Sequence, residues 1–115
     1  MTIGIFSFKK GLYQEAIVEF EKTISLEPGF APAYNRLGMS YANVKNFEAA
    51  EENFRKFIEL IPDSDQGYVN LGLLYGHMGE AAKAIPFFEK ALALNPQNQK
   101  AKEFLQRMKE KGAPK

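Results

Sequence analysis

The chain has 115 residues and a formal net charge of +1, from 15 Lys and Arg against 14 Asp and Glu. Hydrophobic residues make up 45% of it and charged residues 25%, the balance of a packed domain and not of a disordered segment. The absence of cysteine excludes disulfides, thiol nucleophiles and thiolate metal sites, and the single histidine, His77, excludes a zinc site built from several imidazoles. We therefore expect no metal, no cofactor and no enzymatic activity, and a charge so near balance gives no reason to expect nucleic-acid binding.

The amino-terminal segment carries no targeting signal that we recognise. Its apolar part, residues 1–8, is short, and Lys9 and Lys10 follow it, whereas a secretory signal has its positive charges first. No stretch of the chain approaches the roughly 18 consecutive apolar residues of a membrane-spanning helix. We expect a cytoplasmic protein without a membrane span.

The sequence repeats itself with a period of 34 residues. Alanine, phenylalanine and proline recur at this spacing in three successive units, at Ala16, Ala50 and Ala84, at Phe20, Phe54 and Phe88, and at Pro28, Pro62 and Pro96. So many coincidences at a single period indicate a tandem array of one structural unit.

Each unit reads as two helices. In the second 34-residue unit, large and small core residues recur at the i, i+3, i+4 and i+7 spacing of one face of an α-helix. These residues are Tyr34, Leu37, Gly38 and Tyr41. A second apolar stripe runs from Phe47 to Ile61 and stops at Pro62, which lacks an amide hydrogen. The third unit repeats this pattern, and we expect Gly38 and Gly72 to let a neighbouring helix approach closely.

The turns between these helices also have sequence signals. Asn46 and Gly79 suit the left-handed residue that ends a helix. Asp63 and Gln66, three residues apart, fit a capping box at the start of the third unit's first helix.

These residues together resemble the tetratricopeptide repeat (TPR) family, whose 34-residue unit carries Leu-Gly and Tyr in its first helix, then Ala, Phe and Pro in its second. The resemblance implies an all-α fold, a right-handed α-solenoid of stacked antiparallel helix pairs. Within one domain, residues 1–115, it implies an incomplete first repeat (1–30), two full repeats (31–64 and 65–98), a capping helix (99–111) and a tail (112–115).

TPR proteins are interaction modules, and the resemblance implies a concave groove that binds a peptide or a partner helix. Because the core stripe occupies one face of each first helix, we expect the opposite face to point outward and to line this groove. The predicted lining is Asn35, Arg36, Met39, Ala42, Asn43, Val69, Asn70, Leu73, Gly76 and His77, to which the family register adds Lys100.

One TPR subtype holds a chaperone's carboxyl-terminal peptide with a clamp of two Lys, two Asn and one Arg. In the best register Asn70 and Lys100 match, but Asn35, Met39 and Phe104 replace a Lys, an Asn and the Arg. The lost charges are those that would hold carboxylates, so we do not predict a chaperone clamp.

The two ends of the chain suggest an alternative function, a structural protein that assembles with itself. Residues 99–115 hold six Lys or Arg against two Glu, and a solvated capping helix explains this basic end better than a nucleic-acid site, which would need more stacking aromatics than Phe104. The amino-terminal end has apolar residues that no upstream repeat covers, at Ile3, Ile5, Phe6 and Phe8. They predict a homo-oligomer formed through residues 1–10.

Overall fold

The computed structural model describes residues 13–112, which form six helices and no strand. The helices are α1 (Tyr13–Leu26), α2 (Ala31–Asn43), α3 (Phe47–Leu60), α4 (Asp65–His77), α5 (Ala81–Leu94) and α6 (Gln99–Gly112). Over this part of the chain no helix combines the length and the hydropathy that crossing a bilayer requires. The self-association residues Ile3, Ile5, Phe6 and Phe8 lie outside the described residues, so that prediction stays a prediction.

The described part of the chain forms two compact units, which divide between Leu60 and Ile61. From here on, the first and second units are these two bodies and not the 34-residue repeats. In the first unit, α2 packs against both α1 and α3. Short connections, residues 27–30 and 44–46, make consecutive helices antiparallel neighbours. The Tyr34 hydroxyl donates to the Pro28 carbonyl at 2.7 Å and so ties the start of α2 to the preceding turn. The core of this unit includes Ala16, Ile17, Leu37, Ala50 and Phe54.

The contact between α2 and α3 depends on a glycine. A Cβ atom built on Gly38 would lie 2.5 Å from Cδ1 and Cε1 of Phe54, far inside van der Waals contact. The same arrangement recurs in the second unit, where a Cβ on Gly72 would lie 2.6 Å from Cζ of Phe88. The predicted role of both glycines in close helix approach is confirmed.

In the second unit, α6 packs against α5 and also touches α4. Tyr75 and Phe87 stack with ring centroids 5.3 Å apart, and Phe88 of α5 stacks on Phe104 of α6 at 5.8 Å. The buried core cluster of this unit is Val69, Ala84, Phe88, Ala91, Ala101 and Met108.

The first helix of each full repeat ends in the same hydrogen-bonded turn. At the end of α2, the Asn46 amide donates to the Tyr41 carbonyl at 2.9 Å and the Lys45 amide to the Ala42 carbonyl at 3.1 Å. Both bonds recur at the end of α4 with the same lengths. This is the Schellman motif, which needs one residue in the left-handed conformation.

Gly79 takes the left-handed conformation in the second unit, with φ +78°, as predicted. In the first unit the residue is Lys45, with φ +66°, so the prediction of Asn46 was wrong. The motif places the left-handed residue one position before Asn46, whose side-chain Oδ1 accepts from the Ala49 amide at 3.3 Å and caps α3 instead.

The predicted capping box at Asp63 and Gln66 was also wrong. Because α4 begins at Asp65, Ser64 is its N-cap, and the Ser64 Oγ accepts from the Gly67 amide at 3.4 Å. Gln66 donates its side-chain amide to Asn70 Oδ1 at 3.1 Å and not to the backbone of the cap.

Asp65 connects the three helices of the second unit. Its Oδ2 accepts from Asn95 Nδ2 at 3.0 Å and from Asn98 Nδ2 at 2.7 Å. Asn95 follows the last residue of α5, and Asn98 caps α6 by accepting from the Ala101 amide at 3.0 Å. The Asn95 hydrogen bond lowers the pKa of the Asp65 carboxyl most, partial burial opposes that shift, and the Asn98 and backbone hydrogen bonds lower the pKa further.

We expect Gly38→Ala to destabilise the protein. The added methyl group must displace the buried ring of Phe54, and overpacking of this kind costs about 1–3 kcal/mol, against a gain in helix propensity of about 1 kcal/mol. Chemical unfolding should show a lower free energy of unfolding. Gly29→Ala, where nothing lies within 4 Å of the new Cβ, should change it by less than about 0.5 kcal/mol. Equal effects of the two changes would contradict the packing role.

Lys45→Gly should stabilise the protein by about 1 kcal/mol, because glycine avoids the clash that a side chain meets in the left-handed conformation. Gly79→Ala should have the opposite effect at the matching position. Thermal unfolding of both variants measures the pair. If Lys45→Gly left the melting temperature unchanged or lowered it, the left-handed assignment of Lys45 would be wrong.

Asp65→Asn should lower the free energy of unfolding at neutral pH by about 1–2 kcal/mol, since hydrogen bonds to a charged acceptor are lost. The folded pKa of Asp65 lies below that of the unfolded chain. Its contribution is therefore complete above about pH 4 and is lost as the pH falls through the folded pKa. Acid unfolding curves should show a smaller loss in the variant. Asp63→Asn makes the same charge change at an exposed residue, and its acid unfolding curve should match that of the parent.

Candidate functional site

The open face of α2 is the best formed part of the predicted lining. Arg36 and Asn43 are exposed, as is Pro32, a residue that is not part of the predicted lining. Asn35, Met39 and Ala42 are half-buried between them. Counted from Pro32, these positions follow the i+3/i+4 and i+7 spacing of one helical face, so they form a single straight stripe.

This stripe offers three kinds of contact. Arg36 presents a guanidinium with five donors that match carboxylate or carbonyl oxygens. Met39 lies one turn further on and offers a flexible apolar surface. Asn43 donates Nδ2 to the Met39 carbonyl at 2.8 Å, so its side chain is held along the helix.

Tyr41 links α2 to α1 on the side of α2 that is opposite this stripe. Its hydroxyl donates to Glu21 Oε2 at 2.8 Å. Burial, the hydrogen bond to Glu21, and the charges of Glu21 and Glu52 raise the pKa of Tyr41 to about 12. The hydroxyl therefore keeps its proton at physiological pH and the bond between the two helices persists.

In the second unit the predicted lining is covered at its centre. Val69 was expected to point outward, and this was wrong: it is 1% exposed and lies in the core cluster with Ala101 and Met108 of α6. A Cβ on Gly76 would meet Sδ of Met108 at 3.4 Å, and Leu73 packs half-buried against the same cluster. The physical reason is that α6 lies across this face of α4.

Asn70 was predicted to line the groove, but it is only 7% exposed, and its Oδ1 accepts from Gln66. Of the remaining positions in this unit, His77 is exposed at the last residue of α4 and Lys100 at the second residue of α6. The structure thus brings the predicted residues of the first unit together on one helix face. In the second unit it buries Val69 and Asn70 and leaves His77 and Lys100 as separate exposed groups.

The position where a chaperone clamp has its arginine holds an aromatic side chain that is part of the packing. Phe104 stacks on Phe88, and the Arg107 guanidinium lies 5.6 Å from the Phe104 ring centroid. Among residues 13–112, no group of three or more His, Asp or Glu side chains is placed to hold a metal ion.

Two tetratricopeptide repeat family models match the chain, at residues 31–64 and 66–98. The chain belongs to the tetratricopeptide repeat family. The matched segments coincide with the pairs α2–α3 and α4–α5, each of which contains one Gly–Phe contact. No curated protein matches the sequence.

Solved structures, TPR domains among them, resemble the chain over most of its length. The second TPR domain of human RPAP3, in complex with an HSP70 peptide, is 26% identical, with a TM-score of 0.84 over 94% of this chain and 90% of that one. MamA is 29% identical, with a TM-score of 0.84 over 96% of this chain and 61% of its own. The first TPR of Spaghetti (RPAP3), bound to an HSP90 peptide, is 24% identical with a TM-score of 0.85 over 95% and 86%.

These similarities confirm the predicted fold class, an all-α solenoid of the TPR type. The TPR fold is a scaffold for protein–protein interaction, and this is the functional class of the chain.

Proposed function

We propose that this protein is an adaptor that binds a peptide or a partner helix on the open stripe of α2. The observation that carries this proposal is Met39, a half-buried apolar side chain on a helix face that also presents the exposed Arg36 and Asn43. A surface that combines an apolar contact with donors for carboxylates and carbonyls is typical of peptide recognition.

The spacing of these groups describes the partner. Arg36 and Met39 are three residues apart on one helix, roughly 5–6 Å between their Cβ atoms. A partner that engages both must carry an apolar side chain and an acidic group at a similar distance. Residues one turn apart on a helix, or two apart on an extended segment, satisfy this.

The resemblance to peptide-bound TPR domains supports binding of this general kind. The RPAP3 domains are named with HSP70 and HSP90 peptides, but the present chain has Phe104 packed against the core cluster where a clamp would carry arginine. We therefore propose that its partner is recognised by side chains within a segment and not by a free carboxyl terminus.

Catalysis and nucleic-acid binding have no place in this proposal. His77, the one histidine, is exposed at the end of α4. It therefore lacks the burial that acid–base chemistry uses. The basic residues of α6 accompany one aromatic side chain, Phe104, which is packed on Phe88. The alternative of self-assembly through residues 1–10 stays a prediction, because those residues are outside the described part.

A displayed library of random short peptides tests the α2 stripe. Selected peptides should contain an acidic residue near an apolar one, and on binding they should shift the amide resonances of Arg36, Met39 and Asn43. Arg36→Ala should weaken their binding about tenfold or more, since a hydrogen bond to a charged partner contributes about 1.5–3 kcal/mol.

Lys22→Ala is the matched control, because it removes one exposed positive charge from α1 of the same unit. It should leave peptide affinity unchanged. If Arg36→Ala bound the selected peptides as tightly as the parent, or if the shifted resonances mapped to α1 or α3, the assignment of the stripe would be wrong.

A further inference from the structure

Three exposed basic residues form a row on α6, and neither the fold nor the proposed groove accounts for their alignment. They are Lys100, Arg107, which lies seven residues after it, and Lys111, which lies eleven residues after it. At about 100° per residue, these spacings place all three within about 40° of one another, along about 16 Å of helix. We call Lys100, Arg107 and Lys111 the basic row.

A matching set of acidic residues lies on α3. They are the exposed residues Glu48, Glu52 and Glu59, and the second and third follow Glu48 by four and eleven residues. They also fall within about 40° of one another, along the same length of helix. Arg55, which is paired with Glu51, lies on the same side of α3 between Glu52 and Glu59. We call Glu48, Glu52 and Glu59 the acidic row.

The two rows match when one helix runs opposite to the other. Counted backward from Glu59, the acidic row has the spacings seven and eleven, which are those of the basic row counted from Lys100. Antiparallel docking therefore places Lys100 opposite Glu59, Arg107 opposite Glu52 and Lys111 opposite Glu48. Parallel docking would instead place Arg107 opposite Arg55, where two positive charges repel.

The charged groups of the two rows are accessible. Glu59 Oε1 lies 3.6 Å from Lys56 Nζ, which is long for an ion pair, and the Glu59 side chain is 70% exposed. Arg107 lies over the ring of Phe104, which restricts its guanidinium without neutralising it.

We propose that α6 of one copy of this protein docks antiparallel onto α3 of a second copy. The two rows belong to different units of the chain, so each copy offers one basic and one acidic surface. The charge distribution favours a second copy as the occupant: residues 13–60 hold eight Asp and Glu against five Lys and Arg, whereas α6 holds five Lys and Arg against two Glu. This contact is independent of the α2 stripe.

The association should be modest and sensitive to salt. Exposed ion pairs are individually weak and are screened by added salt. Light scattering and sedimentation of the full chain should show concentration-dependent self-association at low ionic strength. Raising the salt to about 0.5 M should weaken it at least about tenfold, since the Debye length then falls well below its value of about 10 Å at 0.1 M.

Charge reversal tests the pairing. The variant with Lys100→Glu, Arg107→Glu and Lys111→Glu should lose self-association by about tenfold or more, and so should the variant with Glu48→Lys, Glu52→Lys and Glu59→Lys. In each variant the docked α6 and α3 would carry charges of the same sign, which repel. An equimolar mixture of the two variants should associate again. In the mixture, both rows of one variant are acidic and both rows of the other are basic, so each α6 can dock on an α3 of opposite charge.

Lys102→Glu with Lys109→Glu is the matched control, because both residues are exposed on α6 but point to its other side. This variant should associate like the parent. Circular dichroism of each variant checks that the helices remain folded, and a variant that unfolds is replaced by its single reversals, Arg107→Glu and Glu52→Lys.

Several outcomes would overturn the proposal. One is a parent chain that stays monomeric at low salt and high concentration, and another is a mixture of reversed variants that does not associate although the parent does. Poly-glutamate serves as a probe for an unrelated acidic partner. If the parent stayed monomeric but bound poly-glutamate through the basic row, that row would serve another molecule and not a second copy.

Discussion

The close contact between a glycine and a phenylalanine ring determines how the helices of each repeat pack. Gly38 receives Phe54, and Gly72 receives Phe88, at distances that leave no room for a Cβ atom. Because the ring lies against backbone that carries no Cβ atom, the paired helices approach closely. The fully buried Ala50 and Ala84 belong to the same two helix pairs. On α2 and α4 this packing sets which face is turned toward the paired helix.

The predicted lining is open on α2 but covered at its centre on α4, because α6 packs against α4. On α2, Arg36 and Asn43 are exposed and Met39 is half-buried, whereas on α4 the corresponding centre is buried against Ala101 and Met108. Asp65 helps to hold this arrangement, since one carboxylate bonds the residues that end α5 and begin α6. The helix that completes the core of the second unit thus removes part of the surface that a repeat would otherwise offer to a partner.

The proposed partner contact and the proposed self-association use different physical terms on different surfaces. The α2 stripe combines one charge with an apolar side chain, so its binding would rest on burial and directed hydrogen bonds. The rows on α3 and α6 are wholly charged, so their contact would rest on Coulomb attraction and register. Because ionic strength acts mainly on the second kind of contact, salt should separate the two behaviours in solution.

The 34-residue period determined the repeats, the helix pairs and the glycines that meet phenylalanine, because these depend on local helical spacing and on residue size. The sequence by itself also contained the basic and acidic rows as spacings of seven and eleven residues, although charge totals alone did not reveal them. The tertiary structure decided the burial of Val69 and Asn70, since helical periodicity shows which face is opposite the core but not which later helix will cover it. It also decided that Lys45 and not Asn46 is left-handed and that Ser64 caps α4, because a one-residue shift of a helix end depends on hydrogen bonds across the turn.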